Sequence, residues 1–182
     1  MKYDLSQQQS LSAKRSLLQL KHTLATLLME KPFDKITIQD LCEGSMISKS
    51  TFYNYFEDKF DLLRYFFQEC KNEITRSTDN SFDPLHTHEY LLDYLDQYHD
   101  QIKKILRQNL MGGSLHNELL AFMNQSFERL AVKMPFDMGD VPVEIRSKVN
   151  TYSFLAVIDW AYMQGREKDR EKVIELLSKM YR

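Results

Sequence analysis

Between Lys14 and Lys31 apolar side chains fall at Leu17, Leu20, Leu24, Leu27 and Leu28. That spacing of three and four keeps them on one face of an α-helix, and Pro32 ends it because a proline bars helical geometry in the residue before it. Thr37 then stands as an N-cap before Ile38-Gln39-Asp40-Leu41-Cys42, with Asp40 three residues on completing a Thr-x-x-Asp variant of the capping box. The pattern predicts a short second helix followed by a polar break from Glu43 to Ser45. Ser48 caps a third short helix from Lys49 to Phe56. Asp58 caps a fourth, with Asp61 at its third position and Leu62, Leu63, Phe66, Phe67 and Cys70 as its apolar stripe.

The polar stretch from Ser77 to Pro84 is the best candidate for a domain junction. Beyond it the spacing stays helical and predicts helices at Thr87 to Gln101, Ile102 to Leu110, Ser114 to Met134, Val141 to Gln164 and Asp169 to Met180. Gly112-Gly113, the stretch from Pro135 to Pro142, and Gly165 separate them. With 182 residues, 43% hydrophobic and 27% charged, the chain has an ordinary globular composition, and only five Gly and four Pro favour long helices over a turn-rich β architecture. The expectation is an all-α fold: a three-helix domain at 1–57, then a helical domain at 58–182.

Three short helices in the first 56 residues, the last two joined by a tight turn, form the helix-turn-helix arrangement that presents a helix to the DNA major groove. At 100° per residue, Phe52 and Phe56 point together into the core, while Ser50 and Asn54 point the opposite way. Tyr53 and Thr51 occupy the flanks, and Tyr55 can send its hydroxyl out to a phosphate. Asn54 can pair bidentately with an adenine edge, and Ser50 and Thr51 can donate, accept or touch a thymine methyl. Thr37, Ser48, Lys49 and Lys59 sit at helix starts, where N–H groups and the helix dipole favour phosphate. Lys14, Arg15, Lys21 and His22 lie off the first helix's apolar stripe, in solvent or near phosphate. A formal net charge of −2 does not advertise a nucleic-acid binder, but a recognition element needs only local complementarity.

The stretch from Leu20 through Leu63 closely resembles the N-terminal domain of TetR-like transcriptional regulators. The match is carried by Phe33-Asp34-Lys35-Ile36-Thr37-Ile38, by Ile47-Ser48-Lys49-Ser50-Thr51-Phe52-Tyr53-Asn54-Tyr55-Phe56 and by Asp58-Lys59-x-x-Leu62-Leu63. The resemblance implies that Thr37, Ser48, Ser50, Thr51, Tyr53, Asn54, Tyr55 and Lys59 lie at the positions that family uses on DNA. One departure stands out, since Met46 occupies the turn where the family usually carries Gly. If that residue needs φ > 0, the methionine costs about 1 kcal/mol.

The resemblance also implies that Tyr152, Phe154, Leu155, Ile158, Trp160 and Gly165, with a final helix bearing Val173, Leu176, Leu177 and Met180, form a four-helix dimer interface. A two-fold dimer would set its recognition helices about one DNA turn apart, ~34–36 Å, on a palindromic operator of double-stranded DNA. A small-molecule effector pocket is implied as well, with Phe66, Tyr90, Tyr94, Tyr98, Met111, Phe122, Met123 and Trp160 as candidate lining. Aromatic and Met residues at helical spacing more often fill a core. Two functions remain open on these residues: a repressor released by an effector, or a DNA-binding co-regulator or activator whose C-terminal domain docks another protein.

Other chemistry is not indicated. His86-Thr87-His88, in a polar loop without a Cys or carboxylate cluster, reads as solvated and not as a metal site. Cys42 and Cys70 fit no zinc or redox spacing and read as small apolar side chains in a reducing cytoplasm. No phosphate loop, nucleophile elbow or zinc-spaced His-Glu pair occurs, so neither an enzyme nor a cofactor is expected. The N-terminus is polar, and no run approaches the ~20 apolar residues of a membrane span.

Overall fold

A computed structural model describes residues 10–76, 84–109, 112–131, 141–163 and 170–180. Among them the secondary structure is helical throughout: α1 (Leu11–Glu30), a 3-10 turn (Phe33–Lys35), α2 (Ile38–Ser45), α3 (Lys49–Tyr55), α4 (Lys59–Arg76), α5 (Pro84–Gln97), α6 (His99–Gln108), α7 (Ser114–Ala131), α8 (Val143–Ile158), a π-helical turn (Asp159–Met163) and α9 (Arg170–Met180). The all-α expectation therefore holds.

Packing divides the chain into two units, one holding residues up to 70 together with 104–118, the other 71–103 together with 119–182. The expected boundary at 57/58 is not where packing divides the chain. The start of α4, the end of α6 and the start of α7 fold with the N-terminal helices, held by the bond from Phe33 N to Asn109 Oδ1 and by the Arg64–Glu118 pair.

In the first unit, α1 starts earlier than its leucine stripe suggests, because the Ser10 hydroxyl accepts from Ala13 N at 3.1 Å and Ala13 extends the buried face of Leu17, Leu20, Leu24 and Leu28. Lys31 is already extended ahead of Pro32. The helix α2 carries the anticipated capping box: Thr37 Oγ1 accepts from Asp40 N at 3.1 Å, and Asp40 Oδ2 accepts from Thr37 N at 2.8 Å. At α4 the cap is Asp58, whose Oδ1 accepts from Phe60 N at 2.8 Å and Asp61 N at 2.9 Å. Asp61 instead reaches back past the cap to Glu57 N at 3.1 Å, so the reciprocal box is displaced by one residue.

The polar stretch Glu43 to Ser45 is not a break. The helix α2 continues through it because the Ser45 hydroxyl turns back to the Leu41 carbonyl and is buried there. Gly44 permits the approach of α1, since a Cβ on it would meet Thr23 Cγ2 at 2.6 Å. The chain then reverses at Met46, whose φ of 53° is left-handed. Its N–H and that of Ile47 close the end of α2 onto the Glu43 and Cys42 carbonyls at 3.2 and 3.0 Å, a Schellman-type ending.

The second unit is organised around Leu92, Phe154, Val157, Ile158, Ala161, Val173 and Leu177, drawn from α5, α8, the π-turn and α9. Arg170 at the head of α9 clamps two carboxylates of α5, with Asp96 at 2.8 Å and Asp93 alongside. The helix α5 begins at Pro84, so His86 to His88 belong to its first turn and not to a loop. The break before α6 comes at Tyr98, several residues ahead of the expected one after Gln101, and a π-turn replaces the end of the expected helix to Gln164.

Candidate nucleic-acid interface

The helix α3 carries both faces that its sequence implies. Phe52 and Phe56 are fully buried and stand 5.7 Å apart, with Phe56 also packed on Tyr65 at 5.6 Å. Lys49, Ser50 and Asn54 are exposed, Tyr53 is 43% exposed, and Thr51 and Tyr55 are half-buried. Hydrophobic anchoring by two phenylalanines one turn apart thus forces the intervening polar groups outward.

The hydroxyls at the head of α3 form one cluster: Ser48 Oγ accepts from Thr51 N at 3.1 Å and lies 2.9 Å from Ser50 Oγ and 2.8 Å from Thr51 Oγ1. Their mutual bonds hold these side chains in place without burying them. Lys49 sits beside them, exposed, on the rim of a shallow depression lined by Gln39, Cys42, Glu43, Met46 and Ile47. Burial pushes the pKa of the Cys42 thiol up, and the nearby Lys49 ammonium opposes this. Cys42 and Cys70 are not joined in a disulfide.

Two predicted contacts are engaged inside the protein. The Thr37 hydroxyl donates to Asp40 Oδ2 at 2.8 Å while accepting from Asp40 N, so its proton is already committed. The Lys59 ammonium donates to the carbonyls of Phe33 (2.9 Å), Asp34 (3.2 Å) and Ile36 (2.8 Å) and lies 4.8 Å from the Phe33 ring centroid. Burial pushes its pKa down, with Asp34 and Asp58 pulling the other way. All three of its protons serve the turn between α1 and α2, so its ammonium clasps that turn.

Asn109 is a residue that local pattern could not single out. Its Oδ1 accepts from Phe33 N at 2.8 Å, tying the end of α6 to the same turn that Lys59 holds. Ser114 donates to Asp34, and Arg64 grips Glu118 through two bonds of 2.9 Å. These pairs are separated by 54 to 80 positions along the chain, and no periodicity links them.

Residues 22–66 match the profile described as bacterial regulatory proteins, tetR family. Over these residues the chain is similar to the TetR-type helix-turn-helix. The matched stretch runs from α1 into α4 and contains the whole helix-turn-helix. An HTH-type transcriptional regulator of Bacillus subtilis, YxbF, is 26% identical over 69 residues, which is 38% of this chain and 18% of that protein. Two solved structures share this all-helical fold along nearly the full length. The dihydroxyacetone kinase operon activator DhaS has a TM-score of 0.59 at 19% identity, covering 91% of this chain and 96% of its own. A Syntrophomonas wolfei protein described as a TetR-family transcriptional regulator has a TM-score of 0.56 at 22% identity, covering 92% and 93%.

The other predicted site residues fall as follows. Phe66 belongs to the first unit, whereas Tyr90, Tyr94, Tyr98, Phe122, Met123 and Trp160 belong to the second. Within the second unit Met123 and Trp160 pack against the core, and the Tyr94 and Tyr98 rings lie 4.6 Å apart, with the Tyr98 hydroxyl donating to Glu73 at 2.8 Å. Met111 lies outside the described residues, as does the expected interface residue Gly165. Among the described residues no group of three or more His, Cys, Asp or Glu could hold a metal, and no helix is long and apolar enough to cross a membrane.

Proposed function

We propose that the protein is a DNA-binding transcriptional regulator that reads a palindromic operator in the cytoplasm through Lys49, Ser50, Thr51, Tyr53 and Asn54 of α3, with Ser48 and Tyr55 at its margins. The observation that carries this reading is α3 itself, which buries Phe52 and Phe56 and leaves a small face of amide, hydroxyl and ammonium groups in solvent. Asn54 supplies the bidentate amide for an adenine, and Lys49 supplies charge for phosphate. Lys14 and Arg15, exposed on α1, add backbone attraction if the helix start approaches the duplex.

The two-fold symmetry this requires comes from a homodimer. On α8, Ser147, Asn150, Thr151, Phe154, Val157 and Ile158 face inward, yet Ile145, Val149 and Tyr152 are 52%, 45% and 56% exposed at positions i, i+4 and i+7. A helix apolar on both sides needs a partner for its outer stripe, and a second copy supplies an identical one. The finer part of the proposal is a repressor released by an effector that binds the C-terminal unit in one of two conformations. The likeness to an operon activator supports keeping the second reading, in which the same DNA-binding domain activates and the C-terminal unit docks a protein.

Selection of bound sequences from a random DNA pool, followed by fluorescence anisotropy on the selected site, tests the proposal. The wild-type protein should select an inverted repeat, and a Ser50→Ala, Asn54→Ala double variant should lose roughly tenfold or more in affinity and relax its preference at the contacted bases. Undiminished binding by that variant refutes the assignment of α3 as the reading helix.

A further inference from the structure

In the second unit, Lys71 of α4 is half-buried against one face of α7. Its ammonium donates to Ser126 Oγ at 3.2 Å and stands 6.0 Å from the centroid of the Phe122 ring. Phe122, Ser126 and Arg129 follow at i, i+4 and i+7, so the Arg129 guanidinium shares that face, while Met123 and Phe127 on the adjoining face turn to the core. Among the described residues no carboxylate lies within 4.0 Å of either cation.

Elsewhere the fold supplies such groups with partners. Arg64 is held by Glu118 and Asp61, Arg170 by Asp93 and Asp96, Lys31 by Asp40, and Lys59 by three carbonyls. Lys71 instead has one hydroxyl and a ring face, with a like charge nearby. Burial first, and then Arg129, pushes its pKa down. A cation taken partly out of water beside another cation is unfavourable unless an anion joins them.

We propose that Lys71 and Arg129, with the Ser126 hydroxyl and the Phe122 ring, form a binding site for a small anion bearing a carboxylate or phosphate group. The two cations supply the charge, the hydroxyl supplies a further donor, and the ring offers an apolar surface to the remainder of the molecule. This deepens the effector reading, on which its regulatory meaning rests, by naming the effector as anionic; the binding itself stands apart from that reading.

The test titrates the full chain with sodium benzoate, with inorganic phosphate, and with sodium chloride at equal ionic strength, following the Lys71 ε-methylene signal by NMR and heat by calorimetry. The expected result is saturable binding of benzoate or phosphate, the stronger of the two identifying the head group. Benzamide, the uncharged analogue, should not bind, and Lys71→Met and Arg129→Gln should each weaken binding roughly tenfold or more. Without anion, Lys71→Met should be at least as stable as wild type, because it removes an uncompensated cation; a purely structural lysine would show the reverse. Responses no greater than those to chloride, or equal affinity in Lys71→Met, overturn the site. Operator binding measured in the same samples separates the two readings. Anion binding that leaves DNA affinity unchanged supports the site and removes its effector role, whereas loss of the site with intact DNA binding leaves the regulator reading standing.

Discussion

Met46 sits in the left-handed region with its side chain 86% exposed, so it contributes no packing in return for its conformation. Left-handed backbone costs a non-glycine residue roughly 1–2 kcal/mol, and glycine's extra freedom in the unfolded chain takes back roughly 0.4–1 kcal/mol. Met46→Gly should therefore stabilise the protein by somewhat under about 1 kcal/mol, read as a raised urea midpoint at unchanged slope; an unchanged or lower midpoint would show that the turn is not strained. Asp40 offers a second measurement. The Lys31 ammonium beside it, then the Thr37 N–H and hydroxyl, hold its carboxyl at about 2. Because the folded value lies below the ordinary one, this group adds stability above about pH 4 and loses it as pH falls toward 2. An NMR titration should place Asp40 near 2 in the wild type and closer to the usual range in Lys31→Met. An ordinary value in the wild type would show the pair to be unimportant in solution.

At the scale of elements, the position of α3 depends on how α1, α2 and the 3-10 turn are fastened. Gly44 makes the α1–α2 crossing possible, and Thr23 opposite is β-branched and cannot easily swing aside. Gly44→Ala should cost about 1–3 kcal/mol by overpacking, despite alanine's better helix propensity. A stabilised variant would mean that the helices are not this close. Lys59 fastens the other side of the turn. Lys59→Met takes the ammonium donor away from the carbonyls of Phe33, Asp34 and Ile36, of which Phe33 keeps its bond from Ile36 N, and should lower stability by roughly 1–3 kcal/mol. If it instead weakened DNA binding without changing stability, the ammonium would belong to the DNA contacts after all.

For the whole molecule, the exposed stripe of α8 sets the expectation. Val149→Glu with Tyr152→Glu places two carboxylates on that face, and sedimentation analysis should show a dimer for the wild type and a monomer for the variant. Helical content should stay unchanged, because neither side chain enters the core. A monomer free of its partner should also bind a palindrome far more weakly, since each half-site then binds alone. A variant that remains dimeric would move the interface elsewhere.

The 3.6-residue period, the caps at Thr37, Ser48 and Asp58, and the paired phenylalanines of α3 are local physics. They suffice for the helices of the N-terminal domain and for which of α3's residues face water. The resemblance to the TetR family, and not the local pattern, pointed to strain at Met46. Local signals misjudged Glu43 to Ser45, where a serine hydroxyl and a glycine at a helix crossing keep the helix going, because both effects depend on what lies opposite. Nor did they foresee that the Lys59 ammonium bonds to carbonyls some 25 residues away. Asn109, Ser114 and Glu118 gained their parts only when folding brought distant segments together. Sequence by itself determined the elements and their amphipathic faces, because backbone geometry and the exclusion of apolar groups from water act over a few residues. The tertiary structure alone decided which polar groups remain available for a ligand, because a hydrogen bond or counter-charge can come from anywhere along the chain.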